Sequence, residues 1–249
     1  MSARPFAVFD IDGTLIRWQL YHAMADALVK FGIISKDDYQ SIVTMRMSWK
    51  KRHSPNSFSD YENVLIRLIR RALTGLEYET FANICTAVVE RYQDQVYVYT
   101  RDTLNRLQEQ GYLTFAISTS PSELVGQVAS YYNFDDFSGS RYLIKEGRLS
   151  GKTQLLLKSG KQHQLAALIK RHGAVEKGSI GIGDTAIDIG MLEMVERPIA
   201  FNPARKLFEH ANKHGWDIVV ERKNVVYQLK YSHGQYLLSP TDGGQTSIF

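Results

Sequence analysis

The sequence predicts an α/β protein: a doubly wound, mainly parallel sheet with a small helical domain inserted near its start. Three observations carry this expectation. Phe6-Ala7-Val8-Phe9 is a short apolar run with two aromatic residues and one β-branched residue, as suits a buried strand, and it stops abruptly at Asp10. Roughly eighty residues of helical character follow, too many for a simple crossover between neighbouring strands. From about Thr100 strand-like and helix-like segments alternate, which implies a mainly parallel sheet covered on both faces.

Between about Gln19 and Phe31, the residues Leu20, Ala23, Met24, Ala27, Leu28 and Phe31 recur near a 3.6-residue period, and Gly32 ends the run. Ser35 is placed to cap a second helix through Met47, with Asp37 and Asp38 in its first turn. His53–Ser59 contains Pro55 and reads as a loop before helices at about Asp60–Leu73 and Glu77–Tyr92, which Thr74-Gly75 separates. A helix running to Gln110 stops at Gly111, and Tyr112–Ile117 is a strand finishing in Ser118-Thr119-Ser120-Pro121. Pro121 suits the first position of a helix through about Tyr131. Arg141–Ser150 reads as a β-hairpin turning at Glu146-Gly147. Lys161–His172 is an amphipathic helix stopped by Gly173; Ser179–Ile182 is a strand, and Gly183-Asp184-Thr185-Ala186-Ile187-Asp188 opens another helix. A strand at Arg197–Phe201, a helix to about His214 and a strand at Trp216–Val220 complete the alternation. The expected division is an α/β core from residues 1–16 and 99–230, a helical domain over 17–98, and an aperiodic tail over 231–249.

A chain of 249 residues can bury a substantial core, as one large domain or two unequal ones. Its 44% hydrophobic and 22% charged content excludes an extended disordered chain. The single cysteine, Cys85, excludes an intramolecular disulfide framework and a cysteine-based zinc site. No apolar stretch reaches the roughly 20 residues needed to span a bilayer, and Met1 runs straight into the first strand. No membrane partner and a cytoplasmic location are therefore expected. A formal charge of +4 is too mild to argue for a nucleic-acid partner.

Three strands end in chemically loaded turns: Asp10/Asp12, Ser118/Thr119 and Asp184/Asp188, with Lys161 opening a helix between the second and third. In open α/β sheets ligands bind beyond the carboxyl ends of strands. If the chain stays extended through Asp12, Asp10 and Asp12 share a face, and Gly13 permits a tight turn directly after. Two like charges so close are costly unless a cation lies between them or one carboxyl takes a proton. Phe9-Asp10-Ile11-Asp12-Gly13-Thr14, Ile117-Ser118-Thr119-Ser120, a downstream lysine and Gly183-Asp184-Thr185-Ala186-Ile187-Asp188 together resemble the four motifs of the haloacid dehalogenase-like phosphatases. The resemblance spans Phe6 to about Val220. The helices between the first two motifs correspond to the small helical cap of the phosphoserine phosphatase-like subclass, which the hairpin at Arg141–Ser150 also resembles.

The resemblance implies a Mg²⁺-dependent phosphomonoester hydrolase that acts on a small phosphorylated metabolite through an aspartyl phosphate. Asp10 is the implied nucleophile and, with Asp184, a carboxylate ligand of the metal. Asp12 is implied as a metal ligand through its backbone carbonyl and as the acid–base through its side chain. Ser118, Thr119, Lys161 and Gly13 are the implied phosphate contacts. Lys161 is preferred to Lys158 because it begins the run Leu165, Ala166, Leu168, Ile169, whereas Lys152 directly follows the hairpin. Asp188, one helical turn after Asp184, serves the metal directly, through water, or by holding Lys161. General chemistry supports these roles: a carboxylate nucleophile splits one hard hydrolysis into two easier steps, and Mg²⁺ takes hard oxygen ligands. A positioned acid–base contributes ~10²–10⁴-fold. The rival readings are a phosphotransferase with an alcohol acceptor and a basic nucleic-acid-binding protein with an inactive core; the intact acidic positions argue against the second.

On the substrate side, Gln19 stands where phosphoserine phosphatases carry an acidic residue that helps hold the substrate ammonium. Thr119-Ser120-Pro121 replaces a Gly-Gly pair, and Ile187 an asparagine. Between Arg46 and Arg71 the helical segment carries Arg46, Lys50, Lys51, Arg52, Arg67, Arg70 and Arg71 against only Asp60 and Glu62, and Arg67 is its candidate substrate contact. Phosphoserine is therefore not the expected preferred substrate; an ester with extra negative charge, or of an uncharged alcohol, is.

Overall fold

A computed structural model describes residues 4–54, 57–154 and 160–239 of the chain. The first strand, β1 (Pro5–Phe9), lies at the middle of the sheet, because each of its faces supplies a different core. Ala7 and Phe9 point into one apolar cluster, Phe6 and Val8 into another on the opposite face. This is the period-two alternation of a strand buried on both sides. Beside β1 run β2 (Leu113–Pro121) and, on the other flank, β5 (Val175–Gly183), both parallel to it, with Phe9 opposite Ala116 and Ile182. Outward from these lie β3 (Asp136–Lys145) and β4 (Arg148–Gln154) on one side. On the other lie β6 (Arg197–Phe201), β7 (Asp217–Arg222), β8 (Val225–Ser232) and β9 (Gln235–Leu238). The nine-stranded order among the described residues is β4-β3-β2-β1-β5-β6-β7-β8-β9. Pairing is parallel from β3 to β7 and antiparallel at both margins. The chain leaves β1 for β2 on one side and returns to β5 on the other, so a crevice opens at their carboxyl ends.

Helices α1 (Leu20–Lys30), α2 (Lys36–Lys50), α3 (Ser57–Leu73) and α4 (Tyr78–Tyr92) stand between β1 and β2 in the chain. Ser35 caps α2 by accepting a hydrogen bond from the Asp38 amide. On α3, Tyr61, Leu65, Ile69 and Leu73 recur every fourth residue and are buried, which fixes one face of this helix against its neighbours. Each such side chain contributes roughly 1.5–3 kcal/mol of transfer free energy. The apolar cluster they join is continuous with the one beneath Phe9, so the helical layer and the sheet share a core. The chain crosses between the two layers twice, and the crossings pair: Arg17 N donates to Gln95 O at 2.8 Å and Tyr97 N to Leu15 O at 3.0 Å. A third attachment comes from the β3–β4 hairpin, whose turn has Glu146 and Gly147 at φ 52° and 74°. Its edge accepts the segment before α4 as a short extra strand, through Gly75 N to Leu149 O, Leu149 N to Leu76 O and Tyr78 N to Gly147 O. Arg148 adds a 2.6 Å ion pair with Glu77.

The remaining helices, α5 (Val98–Glu109), α6 (Ser122–Tyr131), α7 (Lys161–His172), α8 (Ile189–Leu192) and α9 (Arg205–His214), cover the two faces of the sheet. Glu221 of β7 caps the start of α5 from a distance, accepting from the amides of Val98 and Tyr99. Several boundaries differ from expectation: α3 starts at Ser57, inside the expected His53–Ser59 loop, β3 starts at Asp136 and β5 at Val175, each earlier than the sequence suggests. Strand β2 continues to Pro121, with α6 starting at Ser122, because Pro121 keeps ψ at 138° and pairs with Ser140 of β3. The chain after Tyr231 is not an aperiodic tail throughout: β9 adds to the sheet, turning at His233-Gly234, with Tyr231 opposite Tyr236. Residues 240–249 of the expected tail, and Lys158, lie outside the described residues. Among the described residues no helix is long and apolar enough to cross a membrane.

Candidate active site

Strand geometry delivers the first carboxylates. The Asp10 amide still donates to Ile182 O at 3.0 Å, one residue past β1, so the backbone is held to β5 where its side chain emerges. Ile11 turns into the core, and Gly13 closes the loop by donating to Ile16 O at 2.9 Å. Gly13 adopts φ +82°, and a Cβ there would stand 2.3 Å from Asp184 Oδ2. Glycine at this position is thus needed twice, for the left-handed turn and for the approach of a carboxylate from the end of β5.

Lys161 is the first residue of α7, whose N-cap residue, Gly160, adopts φ +72°. Its Nζ lies 2.5 Å from Asp10 Oδ1 and 2.5 Å from Asp188 Oδ1, and all three side chains are almost wholly buried. Thr14 Oγ1 donates to the other Asp10 oxygen at 2.9 Å. Burial alone would depress the Lys161 ammonium, yet the charges of Asp10 and Asp188 hold it above its ordinary value. Burial pushes the Asp10 carboxyl up to about 7 against the pull of Lys161. Asp188 spends its second oxygen on the loop that carries it, accepting from the amides of Asp184 and Thr185 and from Thr185 Oγ1. Both of its oxygens are therefore engaged by the protein.

Asp12 is fixed from two sides. Its Oδ1 accepts from the Leu20 amide at 2.6 Å, and its Oδ2 from Ser118 Oγ at 2.6 Å and Ser120 Oγ at 2.9 Å. Ser118 and Ser120 are two residues apart on β2, so the strand places both hydroxyls on the Asp12 side. Asp184 differs from the other acids, since its carboxylate accepts no hydrogen bond and forms no ion pair among the described residues. Burial, with the charges of Asp10 and Asp188, holds it well above the usual carboxylate range. Asp10, Asp184 and Asp188 each offer an oxygen within 4.8 Å of the others. An all-oxygen donor set with uncompensated charge and one unpaired carboxylate suits a hard divalent cation such as Mg²⁺.

These groups face a cavity of about 370 Å³ between the sheet and the helical layer. Asp10, Asp12, Thr119, Lys161 and Asp184 line its sheet side, and Gln19 lines it from the start of α1. Gly13, Ser118 and Asp188 stand behind that lining. Arg67 does not line the cavity; it is exposed on α3 with Arg70 and Arg71, and Lys50, Lys51 and Arg52 are exposed at the end of α2, so the basic excess of the helical layer faces away. The acid Glu62 takes the inward position instead, beside Tyr21, and Arg205 and Lys206 contribute from α9.

Residues 7–193 match the haloacid dehalogenase-like hydrolase family. The chain belongs to that family. Two curated relatives are similar to this haloacid dehalogenase-like hydrolase. It is 26% identical over 132 residues to a phosphoserine phosphatase of Methanocaldococcus jannaschii, a match covering 52% of this chain and 60% of that protein. It is 21% identical over 226 residues to a histidinol-phosphatase of Neisseria meningitidis serogroup C, covering 86% of this chain and 97% of that protein. Among solved structures, a protein of unknown function from Bordetella pertussis Tohama I superposes with a TM-score of 0.68 at 18% identity, covering 87% of this chain and 98% of that one. A phospho-aspartyl intermediate analogue of phosphoserine phosphatase superposes with a TM-score of 0.63 at 19% identity, covering 89% and 95%. At these identities the structural likeness shows the shared fold.

The sequence reading assigns no site role to Ser120, Thr14, Tyr21 or Glu62. A signal for Ser120 exists in its two-residue spacing from Ser118 once the strand is extended to Pro121. Thr14 is one turn of tight loop beyond Asp10. Tyr21 and Glu62 reach the cavity only through the packing of α1 and α3 over the sheet, which no local pattern announces.

Proposed function

We propose that this hydrolase is a Mg²⁺-dependent phosphomonoesterase in which Asp10 takes up the phosphoryl group. The observation that carries the reading is one shared cavity holding an unpaired carboxylate, Asp184, an Asp10 carboxylate braced by Lys161 and Thr14, and a second acid, Asp12, gripped by two hydroxyls. The two curated relatives are phosphatases that differ in the phosphate ester in their names, so they support the reaction and leave the substrate open.

Asp10 and Asp184 would hold the metal ion, with the Asp12 backbone carbonyl. Bound there, Mg²⁺ would supply positive charge that offsets repulsion between a carboxylate and a phosphate dianion. An Asp10 oxygen attacks phosphorus, the ester P–O bond breaks, and the leaving alkoxide takes a proton from Asp12. A water molecule then gives a proton back to Asp12 and attacks the same phosphorus; the P–O bond to Asp10 breaks, releasing inorganic phosphate and restoring both carboxyl groups. The Lys161 ammonium donates to the phosphoryl oxygens during transfer, and Ser118 Oγ joins it by turning its proton away from Asp12. Asp188, with both oxygens engaged, acts by holding Lys161 and the Asp184 loop in place.

The test is turnover of p-nitrophenyl phosphate with Mg²⁺ and with EDTA, in the wild type and in Asp10→Asn. Turnover is expected only in the wild type with metal, and only the wild type is expected to trap beryllium fluoride as an acyl-phosphate mimic. Near-normal rates in Asp10→Asn would assign the attack to another group, and full activity in EDTA would remove the metal.

A further inference from the structure

We propose that the open edge of β9 is a self-association surface, on which a second copy of this chain adds its own β9 antiparallel to the first. A strand at the margin of a sheet exposes unpaired amides and carbonyls, and proteins cover such an edge, charge it or pair it. The two margins of this sheet are treated differently. At β4 the segment before α4 pairs with the outer edge, and Arg148 and Lys152 charge it. At β9 nothing among the described residues lies beyond the strand, and Gln235-Tyr236-Leu237-Leu238 carries no charge. The lysine opposite Leu237 on β8, Lys230, is already paired with Asp217.

The hairpin decides which groups face outward. Ser239 N donates to Gln228 O at 2.7 Å, so these two residues form a hydrogen-bonded pair. Hydrogen-bonded and non-hydrogen-bonded pairs alternate along an antiparallel ladder. With Lys230 opposite Leu237 and Tyr231 opposite Tyr236, Leu237 therefore bonds to β8, whereas Tyr236 and Leu238 direct their amides and carbonyls to the open edge. These two amides and two carbonyls match their own image. About a two-fold axis through Leu237, Tyr236 of one copy stands opposite Leu238 of the other, and each such pair exchanges two N–H···O bonds. Centring the axis on Leu238 instead would set Tyr236 against Pro240, which has no amide hydrogen.

The side chains favour the same register. Leu238 is 62% exposed, the most of any large apolar residue among the described ones, and Leu237 is 48% exposed. Directly opposite residues share a face, so each Leu238 would lie beside Tyr236 of the other copy, on the face that also carries Tyr231. The two Leu237 side chains would meet on the other face. A joint this small should be weak, with a dissociation constant on the order of 10 µM. Because the two sheets run antiparallel to one another, the two active-site cavities open at opposite ends of the joined sheet.

The test uses the full chain and is independent of the reaction catalysed. Sedimentation velocity should show a dimer at about 200 µM that dissociates to monomer at about 1 µM. Leu237→Lys places two ammonium groups side by side at the axis and should leave a monomer at both concentrations. Across the axis the two Leu237 α-carbons would lie about 4.5 Å apart, within reach of a disulfide, whereas the two Leu238 α-carbons would be more than ~7 Å apart. With oxidised glutathione at the higher concentration, Leu237→Cys should therefore cross-link at least ~10-fold faster than Leu238→Cys. The native thiol, Cys85, is buried and adds no background. Wild type that stays monomeric at the higher concentration overturns the proposal. So does a dimer that survives Leu237→Lys, or one in which Leu238→Cys links as fast as Leu237→Cys. The cross-linking comparison is made on variants that melt with the wild type, so it decides the matter even if Leu237→Lys misfolds.

Discussion

Replacing Lys161 with methionine removes a cation that two buried carboxylates share while keeping most of the side-chain volume. The three groups are 3%, 6% and 0% exposed at their side chains, and the ammonium stands 2.5 Å from each acid, so solvent screens little of the interaction. Removing one partner from such a buried arrangement costs about 3–5 kcal/mol, chiefly from the charge left uncompensated. For a domain of this size about 1 kcal/mol moves Tm by about 2–4 °C, so Lys161→Met in EDTA should melt roughly 6–20 °C below the wild type. The sign of its pH dependence follows from the same picture. Burial raises the Asp10 carboxyl and the ammonium opposes that rise, so without Lys161 the folded state holds an Asp10 proton that the unfolded chain releases, and stability falls as pH rises. The deficit should therefore be small at pH 5 and largest at pH 8, and Lys161→Met combined with Asp188→Asn should recover part of it. Differential scanning calorimetry at the two pH values is the assay. A loss below about 3 °C at pH 8, or one independent of pH, would refute an ammonium that compensates both acids.

Three further outcomes are expected. Gly13→Ala should cost at least ~1–2 kcal/mol for the left-handed backbone and raise the Mg²⁺ requirement by displacing Asp184; wild-type melting and metal dependence would contradict the close approach. In the metal-free protein, burial keeps the Asp10 carboxyl protonated up to about 7 against 3.8 unfolded, so stability should fall as pH rises through that window and level off above it. Mg²⁺ should flatten that slope in urea midpoints measured at pH 5 and 7.5, and an identical profile with and without metal would count against Asp10 as a ligand. Ser120→Ala removes one of three donors on Asp12 and should lower kcat ~10-fold with little change in Tm; an unchanged kcat would make that hydroxyl incidental.

What the sequence discloses of this site is what local chemistry can encode. The apolar run before Asp10, the glycine after Asp12 and the glycine before Lys161 are each a break in periodicity, and each break stands where a strand or helix begins or ends. The helical layer is harder, because net charge along a segment carries no direction. On α3 the buried stripe is Tyr61, Leu65, Ile69 and Leu73; at about 100° per residue Glu62 lies only about 60° from Leu65, on the flank of the stripe, whereas Arg67 lies about 160° away. Counting basic residues between Arg46 and Arg71 favours Arg67, and projecting the helix favours Glu62. The β8–β9 hairpin eludes the pattern for a different reason. Both strands are largely exposed, so neither shows the alternation that a buried face imposes, and only the His233-Gly234 turn betrays them.

The grip of the β3–β4 hairpin on the segment before α4 sets which parts of the molecule can move as one piece. Lifting α1–α4 alone off the sheet would break three backbone hydrogen bonds and the Arg148–Glu77 pair. If the hairpin swings with the helices, nothing is lost there, and the flexure falls inside β3, where its pairing passes from Pro121 opposite Ser140 to Gln154 opposite Arg141. Such a swing would put the mechanical border of the helical layer at a peptide in the middle of a strand, some forty residues downstream of the second chain crossing. Gly139, where a Cβ would stand 2.7 Å from the Ser122 α-carbon, lies beside that border, so a side chain there would press on the start of α6.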